Sequence, residues 1–396
     1  MRKASKWLVR SLAILVGLLL LLGVLIQLPV VQTEVAGWLV KKLSNSLNTK
    51  IEIERVRISF FTSIELHGVY IEDQSSDTLL VSDRMYLDLS AFSLWKKKLH
   101  LKQTTMEGVK FSLHQSDTSS SIDFLLDAFK SDGSVKEPWE ISLKEINFMD
   151  LAFSMYQSHR DATVNVTLGS LHTDLGRSDL SQRRIYIDGL DLDQLRVDIA
   201  PQLQSTHPDD GKGVPGTFVL PHIDWEILLN DLLVTESQVI ASNPSTTRVS
   251  GFDPRSLMLE EVAIYINRAQ WTGNDLTAEL ESASFRDPRG FYLQQMAARI
   301  QIDSNRIDLD NLIALTPQSK IENSSSLEFI RVRDQSEVRY QLDFGSTNIV
   351  RRDLNYFSEY LQKVLPFINI KEIDNMRLAG RIMGDRSSVI LNSVQL

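Results

Sequence analysis

From Lys50 onward, apolar residues fall on alternate positions with polar or charged neighbours between them. Examples are Met85/Leu87/Leu89, Val109/Phe111/Leu113, Leu151/Phe153/Met155 and Leu195/Val197/Ile199. A period of two gives one face of a pleated strand to apolar side chains and the other to water, so the pattern predicts half-buried β-strands. A longer figure of eight residues, apolar at its first, third, sixth and eighth positions, also returns. It occurs as Ile51/Ile53/Val56/Ile58, Ile64/Leu66/Val69/Ile71, Ile141/Leu143/Ile146/Phe148, Ile185/Ile187/Leu190/Leu192 and Leu257/Leu259/Val262/Ile264. The two-residue gap flips the apolar side once, which points to a β-bulge or a sharp bend inside a long strand. Polar, turn-forming stretches at 115–121, 131–138, 201–216, 242–250 and 317–326 separate the runs, and Asp73–Asp77 reads as a hairpin turn.

Three segments change the period to 3.6. Ile122, Leu125, Leu126 and Phe129 predict a short helix before Gly133; Leu354, Phe357, Leu361, Val364 and Leu365 predict a second, stopped by Pro366. Val35, Trp38, Leu39, Leu43 and Leu47 predict an amphipathic helix over 34–48. It would lie on a membrane surface, plug the end of the next domain, or simply cap a sheet.

The N-terminus is different again. Residues 11–33 contain no charged side chain, and Leu12 to Ile26 is apolar without interruption. At ~1.5 Å per helical residue the uncharged stretch spans about 35 Å, enough for a hydrocarbon core of about 30 Å. Arg2, Lys3, Lys6 and Arg10 precede it and favour a cytoplasmic N-terminus, with Trp7 placed as an interfacial anchor. A cleaved signal peptide is the alternative, but Gln27 to Gln32 offers no small-x-small site. The expected membrane anchor, carried by Trp7, Leu12, Leu20 and Ile26, therefore leads into a body on the far side. The organisation expected is 1–33 basic start and anchor, 34–48 amphipathic helix, and 49–396 a β domain. The fold class expected is mainly β: a transmembrane helix, then an elongated, curled antiparallel sheet with a few short helices.

Composition removes whole classes of function. The 396 residues hold 42 Lys+Arg, 51 Asp+Glu and no cysteine, for a net charge of −9. That balance argues against nucleic acid as a partner, and the missing cysteine excludes disulfides, thiolate metal sites and a cysteine nucleophile. The seven histidines, His67, His100, His114, His159, His172, His207 and His222, form no metal-ligand spacing. Asp188, Asp191 and Asp193, like Asp303, Asp308 and Asp310, could be read as paired carboxylates, but alternate Asp on a strand is more simply its wet face. Asn165 and Asn323 head formal glycosylation sequons. No phosphate loop or nucleophile elbow occurs. No catalysis, cofactor or metal is expected.

The run Val31-Gln32-Thr33-Glu34-Val35-Ala36, the helix after it and Ile51-Glu52-Ile53-Glu54-Arg55-Val56-Arg57-Ile58 resemble the start of AsmA-like proteins. Ile64 to Gln74 and Asp77-Thr78-Leu79-Leu80 are similar to an early stretch of the TamB-like family within that superfamily, that of translocation and assembly module subunits. The likeness covers about residues 1 to 115. It implies an inner-membrane anchor, N-terminus cytoplasmic, and a β-groove body in the periplasm of a Gram-negative envelope. It also implies roles in phospholipid passage or in outer-membrane protein assembly with an Omp85-type partner. The chain is shorter than such proteins and lacks their C-terminal domain, so a continuation beyond Leu396 is expected.

A sheet with one apolar face must cover that face or use it. Open, it would line a trough for lipid acyl chains; the candidate lining is Ile64, Leu66, Met85, Leu87, Leu89, Val109, Phe111 and Leu113. Closed, the same strands would make a membrane-tethered β-sandwich, a binding or scaffold protein with a dry core. An uncovered aliphatic face favours the first reading and helix-covered faces favour the second.

Overall fold

The computed structural model describes residues 29–59, 62–89, 98–116, 119–125, 140–158, 162–176, 178, 183–201, 223–242, 251–253, 256–332, 335–364, 372–385 and 388–395. The chain divides into two compact units, Met1–Phe153 and Ser154–Leu396. The anchor residues Trp7, Leu12, Leu20 and Ile26 lie outside the described residues, and no described helix is long and apolar enough to cross a membrane.

The first unit opens with helix α1 (Pro29–Leu47), which lies against strand β1 (Ile51–Ser59). β2 (Ser63–Glu72), β3 (Thr78–Leu89) and β4 (Lys98–Gln115) follow as an antiparallel meander, each strand hydrogen-bonded to the one before. Asp73 caps the β2–β3 turn, its Oδ1 accepting the backbone N–H groups of Ser75 and Asp77 at 2.8 and 2.9 Å. β5 (Glu140–Leu143) then pairs with β4 in parallel, and β6 (Glu145–Gln157) joins β4 as well. Of the helix expected over 122–129, residues 123–125 are helical and the remainder falls outside the described residues.

The second unit continues the pattern. β7 (Ala162–Leu175) pairs antiparallel with both β8 (Arg184–Asp193) and β9 (Arg196–Pro201), two collinear pieces of one long strand. β10 (Ile223–Ser242) runs parallel to that pair. From β10 the ladder is antiparallel through β11 (Ser256–Gly273), β12 (Asp275–Asp287), β13 (Phe291–Ile302), β14 (Arg306–Leu315), β15 (Lys320–Val332), β16 (Gln335–Val350), β17 (Asn375–Gly384) and β18 (Val389–Gln395). Helix α2 (Arg351–Val364) sits between β16 and β17. The sheet is thus mixed, not purely antiparallel. Alternation is identical in the two pairings, and the parallel steps need long crossovers, which the polar stretches 116–139 and 202–222 supply. The polar run expected to be a turn over 317–326 is mostly strand: the turn closes at Thr316–Ser319, where the Thr316 N–H donates to the Ser319 carbonyl, and β15 starts at Lys320.

The eight-residue figure has a structural cause. A residue with positive φ interrupts strand after strand: Gly68 (60°), Gly108 (59°), Asp150 (55°), Gln194 (54°), Glu236 (47°), Glu261 (51°) and Asn311 (54°). The pairing register breaks beside several of them, as between Glu260 and Ala263 and between Leu309 and Leu312. At Gly68 and Glu261 the bulge falls where the sequence pattern puts it. In β6 and at the β8–β9 junction it comes five residues later, at Asp150 and Gln194. The bulge also absorbs the expected flip. Phe291, Leu293 and Met296, first, third and sixth in their figure, all pack into one apolar cluster. The register shift between Ala283↔Met296 and Phe285↔Leu293 puts the extra residue in β13, and that residue returns the alternation to the same side.

That cluster is the core of the second unit. Phe291, Leu293, Ala314 and Tyr356 are buried together, with Phe252, Phe285, Met296, Ile321 and Phe357 against them. Ring centroids of Phe291 and Tyr356 are 4.8 Å apart and nearly parallel, and Phe357 meets both edge-on. Leu354 and Phe357 were legible as the helical stripe; Tyr356 is the member that binds α2 to the sheet most firmly.

Candidate functional site

In the first unit the apolar positions form rows that cross the strands. Ile58, Ile64 and Leu87 stand opposite one another, as do Val56, Leu66, Met85 and Met106; beyond the bulge come Ile53 with Val69, then Ile51, Ile71, Leu80 and Phe111. Phe111 stacks on Phe153 of β6, with centroids 5.8 Å apart. Of the eight candidate groove residues, Ile64, Leu66, Met85, Leu87, Phe111 and Leu113 are partly exposed, while Leu89 (5%) and Val109 (2%) are buried. Ile64, Leu66, Met85 and Leu87 are direct cross-strand neighbours, a continuous patch.

The opposite face is ionic. Arg84 donates from Nε to Glu65 at 2.7 Å and from Nη1 to Glu107 at 3.0 Å, and Glu65 also meets His67 at 3.3 Å and Arg57 at 3.6 Å. Burial works to raise the Glu65 carboxyl, but the Arg84 hydrogen bond and the surrounding cations outweigh it and hold Glu65 below the usual carboxylate range. One face is therefore aliphatic and the other charged, as alternation requires.

α1 covers only the β1 end of this face. Gln32 is buried and its Nε2 donates to the Ile58 carbonyl at 2.8 Å. Between helix and strand lies a cavity of about 280 Å³ lined by Thr33, Gly37 and Val40 on one side and by residues 51–56 of β1, the charged Glu52, Glu54 and Arg55 among them, on the other. Of the predicted apolar stripe, Trp38 (60%) and Leu43 (48%) are exposed, as is Val30 outside it. Lys42 lies over the Trp38 ring at 5.0 Å. The buried Gln32 has no apolar signature, so hydropathy does not reveal its contact with β1.

In the second unit α2 covers the apolar cluster around Phe291 and Leu293, while Leu233 and Met258 on β10 and β11 stay exposed. Two polar pins fix α2. Asp287, its side chain fully removed from solvent, accepts the Tyr356 hydroxyl at 2.6 Å and the Arg289 guanidinium at 2.5 to 3.2 Å. Burial works to raise the Asp287 carboxyl, but hydrogen bonds from Arg289 and Tyr356 hold it below the ordinary range; burial and that carboxylate push the Tyr356 hydroxyl up. Asp353, near the start of α2, accepts hydroxyls from Thr316 at 2.6 Å and Ser319 at 2.5 Å.

The groups considered for chemistry are mostly engaged in structure. His172 lies 3.5 Å from Asp174, and His100 is hydrogen-bonded to Ser142. His159, His207 and His222 fall outside the described residues. Asp188 accepts from Asn230 and Asp193 from Thr235. Asp308 holds Arg306. Asn323 is buried at 7%, which removes it as a glycosylation acceptor. Folding does bring His114 beside Asp73 and Asp77, with ligand-type atoms within 4.8 Å of one another, a grouping their sequence separation conceals. The Asp73 carboxylate there already caps its turn.

The model of the AsmA family matches residues 1–210, more than half of the chain. No curated protein matches it.

Proposed function

Because the chain belongs to the AsmA family, we propose that it is an inner-membrane-anchored envelope-biogenesis protein whose apolar β face carries phospholipid acyl chains toward the outer membrane. The observation that carries this reading is the patch Ile64, Leu66, Met85 and Leu87, aliphatic and partly exposed on a sheet whose other face is an ion network. Each methylene moved from water onto such a surface gains about 0.8 kcal/mol. The anchor is the apolar run at 12–26; an exposed Trp38 beside Lys41 and Lys42 is what a helix at a membrane surface presents. The body then lies in the periplasm, and no catalytic step is assigned. Support of outer-membrane protein assembly through an Omp85-type partner is a further role of the same kind.

The second reading, a tethered scaffold with a dry core, is favoured by the aromatic cluster under α2. A reporter active only in the cytoplasm, fused after residue 60, should stay silent; activity would refute the topology. Leu87→Asp separates the two functional readings. On the lipid reading the variant stays folded, because the carboxylate reaches water at the exposed face, but cells lose the protein's lipid-dependent phenotype. A variant that simply unfolds would support the scaffold.

A further inference from the structure

Where a lipid would first meet the protein is written in the α1–β1 slot. Its apolar lining is Val40 from the helix and Ile51, Ile53 and Val56 from the strand, and Thr33, Glu52, Glu54 and Arg55 complete it. Gly37 opens one side, since a Cβ built there would find nothing within 4 Å. At about 280 Å³ the cavity sits near the lower end of ligand sites, ~300–1,000 Å³. The charge-free run of residues 11–33 extends into α1, so the slot adjoins the one segment of the chain that seeks a bilayer.

The rim carries a charge. Arg55 lines the slot, is exposed, and forms no ion pair with any described residue. Its neighbours leave it free for an anion: Glu52 is taken by Lys50 at 3.1 Å, and the Glu54 side chain folds over Gly68 of β2. With Glu52 paired to Lys50 and Glu54 laid over Gly68, the Arg55 guanidinium is the lining cation without an ion pair among the described residues, and beside the apolar lining it matches an amphiphile with an anionic head.

We propose that this slot is the loading site for an anionic phospholipid, one acyl chain lying between Val40 and Ile51/Ile53/Val56 and the head phosphate meeting Arg55. The proposal rests on the lipid reading given above and adds to it the place and the headgroup class. The guanidinium would distinguish anionic from zwitterionic heads, and α1 would hold the chain against β1, next to the exposed rows of β2 and β3.

The full chain is purified in nanodiscs of phosphatidylethanolamine and phosphatidylglycerol, with a photo-crosslinking residue at position 40 or, separately, at position 87. Position 40 should crosslink phospholipid, enriched in phosphatidylglycerol over its share of the bilayer. Gly37→Leu should remove most crosslinking at position 40 without unfolding the helix, since Leu is the better helix former and the space is open. Arg55→Gln should leave total lipid crosslinking in place and cut the phosphatidylglycerol enrichment about two- to fivefold, with Arg55→Lys retaining it. Excess inorganic phosphate should not displace the lipid; displacement would mean that the head alone binds and would overturn the site. Lipid at 87 but not at 40 would defeat the slot while sparing the lipid reading, whereas no lipid at either position would defeat both. Crosslinks from 40 to residues 12–26 of the same chain would make the occupant the protein itself and overturn the proposal. So would phosphatidylglycerol enrichment unchanged by Arg55→Gln.

Discussion

Two regions of one chain solve the same problem in opposite ways. Strands β2–β4 present aliphatic rows that stay partly exposed, whereas in β12–β15 the row of Phe291, Leu293 and Ala314 lies under α2, with Ile313 and Leu327 left exposed. The strands in both regions carry the same eight-residue figure, so the figure does not decide what happens to the face. The covering element does, and α2 is held by buried polar contacts at Asp287 and Asp353 rather than by apolar area alone. Alternation makes a face; a pinned helix closes it.

The sharpest way to break this comparison is to place the same charge on each face. Leu293→Asp puts a carboxylate into the cluster of Phe291 and Tyr356, where an unpaired charge costs several kcal/mol, and should unfold the second unit. Leu87→Asp should cost no more than about 2 kcal/mol, within the ordinary range of single substitutions. Urea unfolding of both variants reads the difference; equal losses would mean that the first face is as dry as the second.

Next in size is the pin at Asp287. Tyr356→Phe removes one hydrogen bond from a buried carboxylate and should cost about 1–3 kcal/mol. The pH dependence follows from the direction of the shift. A carboxyl held below its unfolded value of about 3.9 contributes stability that is complete above that pH and is lost as pH falls through the folded value. Losing the Tyr356 donor raises the folded value, so Tyr356→Phe should shrink that acid-sensitive component. Unfolding midpoints of wild type and variant between pH 7 and pH 2 should therefore converge as the pH falls. A constant gap would show that the hydroxyl does not act through Asp287.

Much of this was legible in the residues. Strands announced themselves because a period of two leaves Ile64, Leu66, Met85 and Leu87 no other common arrangement. α2 was visible in Leu354 and Phe357. Its anchor Tyr356 was not, since a tyrosine's hydroxyl reads as surface until a buried Asp287 appears beside it. The parallel pairing of β10 with β8 and β9 was hidden because alternation carries no direction. The contact of Gln32 with the Ile58 carbonyl was not legible, because hydropathy does not register a buried hydrogen bond. Spacing marked the candidate residues as one apolar face but could not tell that Leu89 and Val109 are buried while Ile64, Leu66, Met85 and Leu87 stay partly exposed.

The bulges offer the smallest test. Gly108 has φ of 59°, and a Cβ there would lie 2.1 Å from Asp83 Oδ2, so Gly108→Ala should cost about 1–2 kcal/mol in the first unit. Glu261 has φ of 51°, and Glu261→Gly in the second unit relieves that strain while loosening the unfolded chain, for a net change under about 1 kcal/mol. Equal and negligible effects at both sites would show that the left-handed residue does not set the bulge.

The central claim is that one apolar face holds lipid and the other holds protein. Photo-crosslinking residues at positions 87 and 293, compared in cells under the same irradiation, test it directly. The account predicts attached phospholipid at 87 and crosslinks only to protein, through α2, at 293. Protein-only crosslinks at 87 and its neighbours would contradict it.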